Sequence, residues 1–236
     1  MAVANGWRGP DIVADGLVLY LDAGSPNSYR PDFGTTWKDM SGNNYTGSLV
    51  NGPTYSTASG GSIFFDGVDD DANLGNILFN SASVSTVDIW VNFPSMAGNK
   101  YVTSKGSAGD GIYTFIMVTG PGPSGGGSSY VRFSMGNQSS TTSTNIEYGS
   151  LNWGQWYNFT FTYNGSFVTG YRNAATPISS SLTGNLYTTS TPIYLARDKY
   201  GVAATCNIAG FKIYNRSLSA TEVLQNYNAQ KSRFGL

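Results

Sequence analysis

The chain of 236 residues contains no histidine and a single cysteine, Cys206. Without histidine the commonest general base and the commonest metal ligand are missing, no Ser-His-Asp or Cys-His arrangement is possible, and zinc sites are excluded as well. One cysteine cannot close a disulfide within the chain, but a chain of this length buries roughly 70% of the surface that its unfolded form exposes. The sequence therefore predicts a self-sufficient core, in which Cys206 is a small apolar residue and not a nucleophile.

Charge is also scarce, because Asp, Glu, Lys and Arg make up only 11% of the chain, against about 25% in a typical globular protein. The net charge is −1, and no block of basic residues is present to neutralise phosphates. Nucleic acid and anionic membranes are therefore not expected as partners. Ser, Thr, Asn and Gly supply the polarity instead, which is typical of a sheet protein whose outer face carries hydroxyls and amides.

Long hydrophobic runs are missing too, since none approaches the ~20 residues of a membrane-spanning helix. The first seven residues, Met1–Trp7, have neither the basic start nor the apolar middle of a signal peptide. We therefore expect synthesis in a cytoplasm without a secretion signal.

Only two glutamates occur, Glu147 and Glu222. A glycoside hydrolase needs two carboxyl groups across one cleft. Glu147 has no acidic neighbour two or four positions along its strand, and Glu222 is used by a helix cap. Glycoside hydrolysis is therefore a minor alternative, and we expect no enzymatic activity.

Period-2 alternation of apolar and polar residues runs through most of the chain and predicts many short strands. Val87–Phe93 and Tyr157–Tyr163 are the clearest examples, and Asn164-Gly165 predicts a type I′ hairpin turn after the second. Strands separated by Gly, Pro, Asn and Ser without intervening helices favour an all-β class, a jelly-roll sandwich of two antiparallel sheets.

One helix is predicted, from about residue 219 to 229, near the end of the chain. Ser219 and Glu222 form a capping box, and Leu218 before the cap can pack on Val223 after it. We expect this helix to lie against the sandwich. The predicted organisation is an N-terminal arm, residues 1–15, followed by a single domain, residues 16–236.

A set of motifs resembles the laminin G-like, concanavalin A-like jelly-roll domains of virion proteins in tailed bacteriophages, especially those of marine cyanobacteria. The motifs occur in the order of that family and are Gly16–Gly24, Thr35–Asn43, Asn51–Tyr55, Phe65–Asp70, Gly154–Asn158 and Ala209–Val223. The resemblance implies a two-sheet jelly roll and a non-catalytic virion protein on the surface of the particle. The chain departs from the family at Asp71-Ala72, where an aromatic residue is usual, and at Ala196-Arg197, where Gly-Arg is usual.

The acidic cluster Asp66, Asp69, Asp70 and Asp71 is the one candidate metal site. Carboxylate oxygens gathered on one loop suit Ca²⁺, and laminin G-like domains sometimes bind that ion at a rim. The alternative is a turn in which Asp66 and Asp69 cap backbone N–H groups while the other two are solvated. No other cofactor is expected.

Sugar recognition would use exposed aromatic rings. Trp37, Trp153 and Trp156 are candidates, although each is also expected in a core of this size. Trp7 differs, because it lies in the arm, and we expect it to anchor the arm on another protein with Arg8 beside it.

The sequence predicts an accessory virion component, a capsid decoration or fibre-type protein, that contacts other capsid or tail proteins and copies of itself. A receptor-binding lectin module that recognises host glycans is the alternative function.

Overall fold

The computed structural model describes residues 11–77, 84–95, 98–107, 112–121, 129–138 and 143–236. A single α-helix, α1 (Ala220–Gln230), and short 3₁₀ helices at Pro31–Phe33, Ala58–Gly60 and Lys231–Phe234 occur in these ranges. None of these helices is long and apolar enough to cross a membrane. The strands are β1 (Leu17–Asp22), β2 (Thr36–Trp37), β3 (Gly47–Val50), β4 (Thr54–Ser56), β5 (Ser62–Asp66), β6 (Asp71–Asn73), β7 (Ser85–Asn92), β8 (Lys100–Ser107), β9 (Ile112–Pro121), β10 (Ser129–Gly136), β11 (Ser143–Gly149), β12 (Trp156–Tyr163), β13 (Phe167–Arg172), β14 (Ile178–Ser181), β15 (Ile193–Leu195) and β16 (Thr205–Tyr214).

The strands form two eight-stranded antiparallel sheets, which confirms the predicted sandwich. In the first sheet the order is β14-β13-β12-β7-β16-β5-β4, and β1 also pairs with β16. In the second sheet the order is β11-β10-β9-β8-β15-β6-β3-β2. Strands that are neighbours in a sheet are often distant in sequence, so loops from different parts of the chain meet at each end of the sandwich.

The core lies between the sheets, where the alternating pattern predicts it. Val87, Ile89 and Val91 of β7 are buried on the inner face. The rings of Phe133 on β10 and Phe161 on β12 stack with centroids 3.9 Å apart and join the two sheets. Cys206 is fully buried, and burial raises the pKa of its thiol. Its prediction as a core residue is confirmed.

The hairpin between β12 and β13 is present, but its turn differs from the predicted type I′. A type I′ turn needs positive φ at both central residues, and of Asn164 and Gly165 only Gly165 has it, at +92°. The Asn164 side chain instead accepts hydrogen bonds from the backbone N–H groups of Ser166 and Phe167, at 3.0 and 2.8 Å. The turn is therefore centred one residue later, on Gly165-Ser166.

The outer face of the first sheet is covered, although its polar residues predict exposure. All eight residues of β7 are buried, including Asp88 and Trp90 on the outward side. The helix α1 and the 3₁₀ helix after it lie on this face. The Trp90 ring stacks on Phe234 and Tyr227 there, with centroid separations of 4.2 and 5.6 Å.

A buried ion pair lies beneath the helix. Lys212 of β16 and Asp88 of β7 are direct cross-strand partners, and Lys212 Nζ is 2.7 Å from Asp88 Oδ1. Both side chains are fully buried. The Thr160 hydroxyl and the Asn158 amide donate to the second carboxylate oxygen, at 2.8 and 3.2 Å. Because a buried charge is costly unless it is paired and hydrogen-bonded, this arrangement requires all its partners.

Part of the predicted arm belongs to the domain. Val13 is buried, its N–H donates to the Asn226 side chain of α1 at 2.8 Å, and its carbonyl accepts from the Tyr214 hydroxyl at 3.1 Å. Asp15 pairs with Arg216 at 2.8 Å. The expectation that the whole of residues 1–15 lies apart from the domain is therefore wrong for residues 11–15, because apolar Val13 finds its cover on the chain's own C-terminal helix.

The helix itself follows its predicted cap. Ser219 Oγ accepts from the Glu222 N–H at 3.3 Å, and the Glu222 carboxylate accepts from the Ser219 N–H at 2.8 Å. Arg216 adds two hydrogen bonds to the same carboxylate, at 3.0 and 2.6 Å. Leu218 and Val223 pack together as predicted, in a cluster with Val13 and Tyr214.

The cap yields a prediction for stability. Ser219→Ala removes the side-chain acceptor for the Glu222 N–H and should lower the free energy of unfolding by about 1 kcal/mol. Ser217→Ala, two residues earlier and outside the helix, is the matched control. Chemical denaturation of the three proteins measures the difference, and equal midpoints would show that the cap does not contribute to stability.

The acid response of the cap provides a second test. Hydrogen bonds from Arg216 and from the Ser219 N–H lower the pKa of Glu222 from 4.5 to about 2. A carboxyl group whose pKa is lower in the folded chain stabilises the fold fully at pH values above its pKa in the unfolded chain. This stabilisation is lost as pH falls through its pKa in the folded chain. The contribution of Glu222, measured as the difference between wild type and Glu222→Gln, should therefore shrink between pH 4.5 and 2. A difference that stays constant over this interval would contradict the assignment.

Candidate functional site

Three segments meet at one end of the sandwich because their strands are paired there. Asp66 at the end of β5 is opposite Thr205 at the start of β16, and Ala72 of β6 is opposite Leu195 at the end of β15. Val50 at the end of β3 is opposite Asp71. We define the rim surface as residue 51, residues 66–71 and residues 197–202.

The segments of the rim surface are held together by specific contacts. The Asn51 side-chain amide donates to the Asp69 carbonyl at 2.8 Å, and the Thr205 hydroxyl donates to the Asp66 carbonyl at 3.0 Å. Gly67 has a φ of +78°, and a Cβ built there would lie 2.2 Å from Thr205 Oγ1. Only glycine fits this position, so the turn that carries the aspartates is pressed against β16.

Three of the four predicted aspartates come together. One carboxylate oxygen from each of Asp66, Asp69 and Asp70 lies within 4.8 Å of the others. Asp66 accepts from the Val68 N–H at 2.8 Å, and Asp70 accepts from the Asp66 N–H at 3.0 Å. Burial raises the pKa of Asp70, and the neighbouring carboxylates of Asp66 and Asp69 raise it further.

Asp71 does not join this group, which corrects its prediction as a fourth ligand. It is buried at the start of β6, where one carboxylate oxygen pairs with Arg197 Nη1 at 2.8 Å. Asp71 follows Asp70 directly and begins β6. Because successive side chains of an extended chain point to opposite sides, the Asp71 side chain points away from that of Asp70. Burial raises the pKa of Asp71, while Arg197 acts in the opposite direction.

Exposed apolar side chains lie on the rim surface with the carboxylates. Val68, Tyr200 and Val202 have exposed fractions of 74%, 59% and 37%. Asp198 fixes the last two, because its carboxylate accepts from both of their backbone N–H groups at 3.0 Å. Tyr200 and Val202 are not among the candidates predicted from the sequence. The signal for Tyr200 is its position between Lys199 and Gly201 in a loop, where a polar context favours exposure.

The predicted aromatic candidates are divided between core and surface. Trp37 is fully buried, and Trp156 is partly buried with its indole N–H donating to Ser59 Oγ at 3.0 Å. Trp153 is 39% exposed and lies in the loop before β12, at the same end of the sandwich as the rim surface. Trp7 and Arg8 lie outside the described residues, so their role as a partner anchor stays a prediction.

The two glutamates lie in different elements and have different contacts. Glu147 is exposed on β11 and is paired across the strands with Arg132. Glu222 is held in the helix cap. Neither glutamate belongs to the aspartate group of the rim surface among the described residues.

Solved structures share this fold at low sequence identity. The receptor binding domain of botulinum neurotoxin C/D mosaic serotype superposes with a TM-score of 0.72 at 16% identity, covering 92% of this chain and 52% of that one. The botulinum neurotoxin serotype D ligand binding domain in complex with N-acetylneuraminic acid gives 0.71 at 15% identity, with coverages of 92% and 52%. Trypanosoma rangeli sialidase in complex with sialic acid gives 0.68 at 16% identity, with coverages of 92% and 33%.

The present chain thus spans about half the length of the toxin domains. At such identities the likeness shows the fold. No curated protein matches the chain at a significant level. The sequence of residues 65–224, which includes most of both sheets and the start of α1, matches the Laminin_G_3 family. The chain belongs to this family, which is part of the concanavalin A-like lectin/glucanases superfamily.

Proposed function

We propose that this protein is a non-catalytic glycan-binding module and that the rim surface is its binding site. The observation that carries the proposal is the exposed Tyr200 ring, which lies in the same loop cluster as the Asn51 amide and the carboxylates of Asp66 and Asp69. Sugars present apolar C–H faces and hydroxyl edges, and this combination of ring, amide and carboxylate can contact both.

The fold favours this end of the molecule over the outer face of the first sheet. Helix α1 and residues 231–234 cover the outer face of the first sheet, where β7 is buried throughout. Binding sites in sandwich domains commonly lie on loops that a rigid scaffold positions. The rim loops fit this description, because β5, β6, β15 and β16 hold them.

The charge of the rim surface determines which glycans we expect it to take. Asp66 and Asp69 are exposed carboxylates, so they would repel a sugar acid such as the sialic acid held by two of the similar structures. Neutral oligosaccharides are therefore the preferred class. A sialylated glycan would need a cation between its carboxylate and the rim.

Calcium is the cation that suits these donors. The oxygens of Asp66, Asp69 and Asp70 lie within 4.8 Å of one another. Two oxygens that each lie about 2.3–2.6 Å from one Ca²⁺ can be at most about 5 Å apart, so the three carboxylates can share one ion. We propose that these three aspartates hold the ion and that Asp71 does not. Bound calcium would neutralise the repulsion that raises the pKa of Asp70.

We further propose that this protein lies on the surface of a phage particle, as the ordered motifs suggest, and that glycan binding is its role there. We also propose that it contacts other virion proteins and copies of itself. Glycan binding would give such a particle a contact with its host cell.

The binding site can be tested with two aromatic variants. The wild type should bind a subset of neutral oligosaccharides on a glycan array that also carries sialylated ones. Tyr200→Ala should weaken the best interaction by about 0.5–1.5 kcal/mol, the usual value of an aromatic contact, which is roughly a two- to tenfold rise in Kd. Phe167→Ala is the matched control, because Phe167 is 49% exposed at the opposite end of the sandwich. Equal affinities for the two variants would place binding elsewhere.

The calcium site can be tested by thermal melting with CaCl₂ or with EDTA. Calcium should raise the Tm of the wild type at pH 7, because it binds the folded state alone. Asp69→Asn should abolish most of this rise, and Asp32→Asn, which changes an exposed aspartate of the 3₁₀ helix at residues 31–33, should leave it intact.

The calcium effect should also depend on pH. The folded pKa of Asp70 is raised above its ordinary 3.8, so this carboxyl favours the folded state when protonated and opposes folding as pH rises through its folded pKa. Calcium offsets that loss, and its effect should diminish as pH approaches 4. A calcium effect that is unchanged by Asp69→Asn would contradict the assigned ligands.

A further inference from the structure

A lysine, a carboxylate and an amide meet beneath helix α1, where all three residues are buried. Lys212 Nζ is 2.7 Å from Asp88 Oδ1 and 2.6 Å from Gln230 Oε1. The Lys212 and Asp88 side chains are 0% exposed, and Gln230 is 4% exposed. Gln230 is the last residue of α1, so the amide is presented to the sheet from a fixed helical position.

The amide carbon of Gln230 is within reach of the lysine nitrogen. The Nζ–Oε1 distance is 2.6 Å, and a C=O bond adds about 1.23 Å, so Cδ lies no farther than about 3.8 Å from Nζ. Reacting atoms held at about 3–3.5 Å correspond to a near-attack arrangement. A small shift of the lysine end would therefore bring nucleophile and electrophile into contact.

Asp88 is placed to take the proton that the nucleophile must lose. An ammonium does not attack an amide, and the Asp88 carboxylate is the hydrogen-bond partner of Lys212 Nζ. A proton moving from Lys212 to Asp88 produces a neutral amine and a carboxylic acid. Thr160 and Asn158 hold the other oxygen of Asp88, so this carboxyl is oriented as a local base.

The amide nitrogen of Gln230, which would be the leaving group, is held in place by hydrogen bonds as well. Gln230 Nε2 donates to Asp22 Oδ2 at 3.1 Å and to the Tyr20 hydroxyl at 3.3 Å. Arg233 binds both oxygens of the Asp22 carboxylate, at 2.7 and 3.0 Å, and fixes that group. Every polar atom of the Gln230 side chain is thus positioned, with its carbonyl at the amine and its nitrogen away from it.

We propose that Lys212 and Gln230 form an intramolecular isopeptide bond. The Nζ–Cδ bond forms, the Cδ–Nε2 bond breaks, and ammonia leaves. The lysine ammonium gives up two protons, of which one completes the ammonia and the other remains on Asp88 as a carboxylic acid. Charge balances, since an ammonium and a carboxylate become a secondary amide and a neutral acid, and no oxidant or cofactor takes part.

The bond would link the end of α1 covalently to the middle of β16. It also removes two buried charges, which is a driving force that an exposed lysine and glutamine would lack. The site lies on the outer face of the first sheet, away from the rim surface. The inference is independent of the proposed glycan function.

Mass spectrometry of the full chain tests the bond directly. Trypsin should fail to cleave after Lys212, and it should cleave after Arg216 between the two linked residues. The expected product is Tyr200–Arg216 joined to Ser217–Lys231, with a mass lower than the sum of the two by one ammonia. Cleavage after Lys212, with Ser217–Lys231 at its sequence mass, would overturn the proposal.

Variants separate this bond from other losses of mass. Gln230→Met keeps length and helix propensity and leaves the ion pair, and it should show its full sequence mass and normal cleavage after Lys212. Gln225→Met, at an exposed position of the same helix, should retain the linked product. Asp88→Asn should lose it. An ammonia loss that persists in Gln230→Met belongs to another residue and rejects the proposal, and a water loss that joins Lys212 to Asp88 rejects Gln230 as the acceptor.

Discussion

The contact of Lys212 with Asp88 and Gln230 is the interaction on which the outer half of the first sheet depends, as an ion pair in the folded chain and as a covalent link once the proposed bond has formed. It joins β16 to β7, and Thr160 and Asn158 extend it to β12. Gln230 carries the network to α1, and Asp22 with Arg233 carries it on to β1 and to the carbonyls of Gly60 and Gly61. Removing one partner of such a buried pair typically costs about 3–5 kcal/mol, because the other charge is left uncompensated.

This network relates the fold to the proposed function. Helix α1 and the 3₁₀ helix after it are held over the sheet. The aromatic rings of Trp90 and Trp156 therefore pack on Phe234 and do not form a ligand-binding surface. The loops at one end of the sandwich then carry the exposed aromatic ring, the amide and the carboxylates. A rigid sandwich with a covered outer face on its first sheet and a chemically varied rim is suited to the proposed recognition of a ligand.

The sequence predicts the sandwich because alternation is strong in long strands such as β7 and β12, and it predicts α1 because Ser219 and Glu222 are a local signal. It does not predict the short strands β2, β6 and β14. These strands have two to four residues, which are too few to show an alternation of apolar and polar residues. The sequence predicts that Asp88 and Lys212 face solvent, since nothing local shows that they are covered by the helix whose last residue, Gln230, lies 18 residues after Lys212. Asp66, Asp69 and Asp70 are neighbours in sequence and could be predicted, whereas Asn51 and Tyr200 join them only through strand pairing.

Hydrogen–deuterium exchange with and without the best array-binding oligosaccharide tests directly whether the rim surface is the glycan site. We expect slower exchange in the segments around residues 51, 66–71 and 197–202, with α1 unchanged. Slower exchange in α1, or in β10 and β11 around Arg132 and Glu147, with the rim segments unaffected, would show that the glycan binds elsewhere.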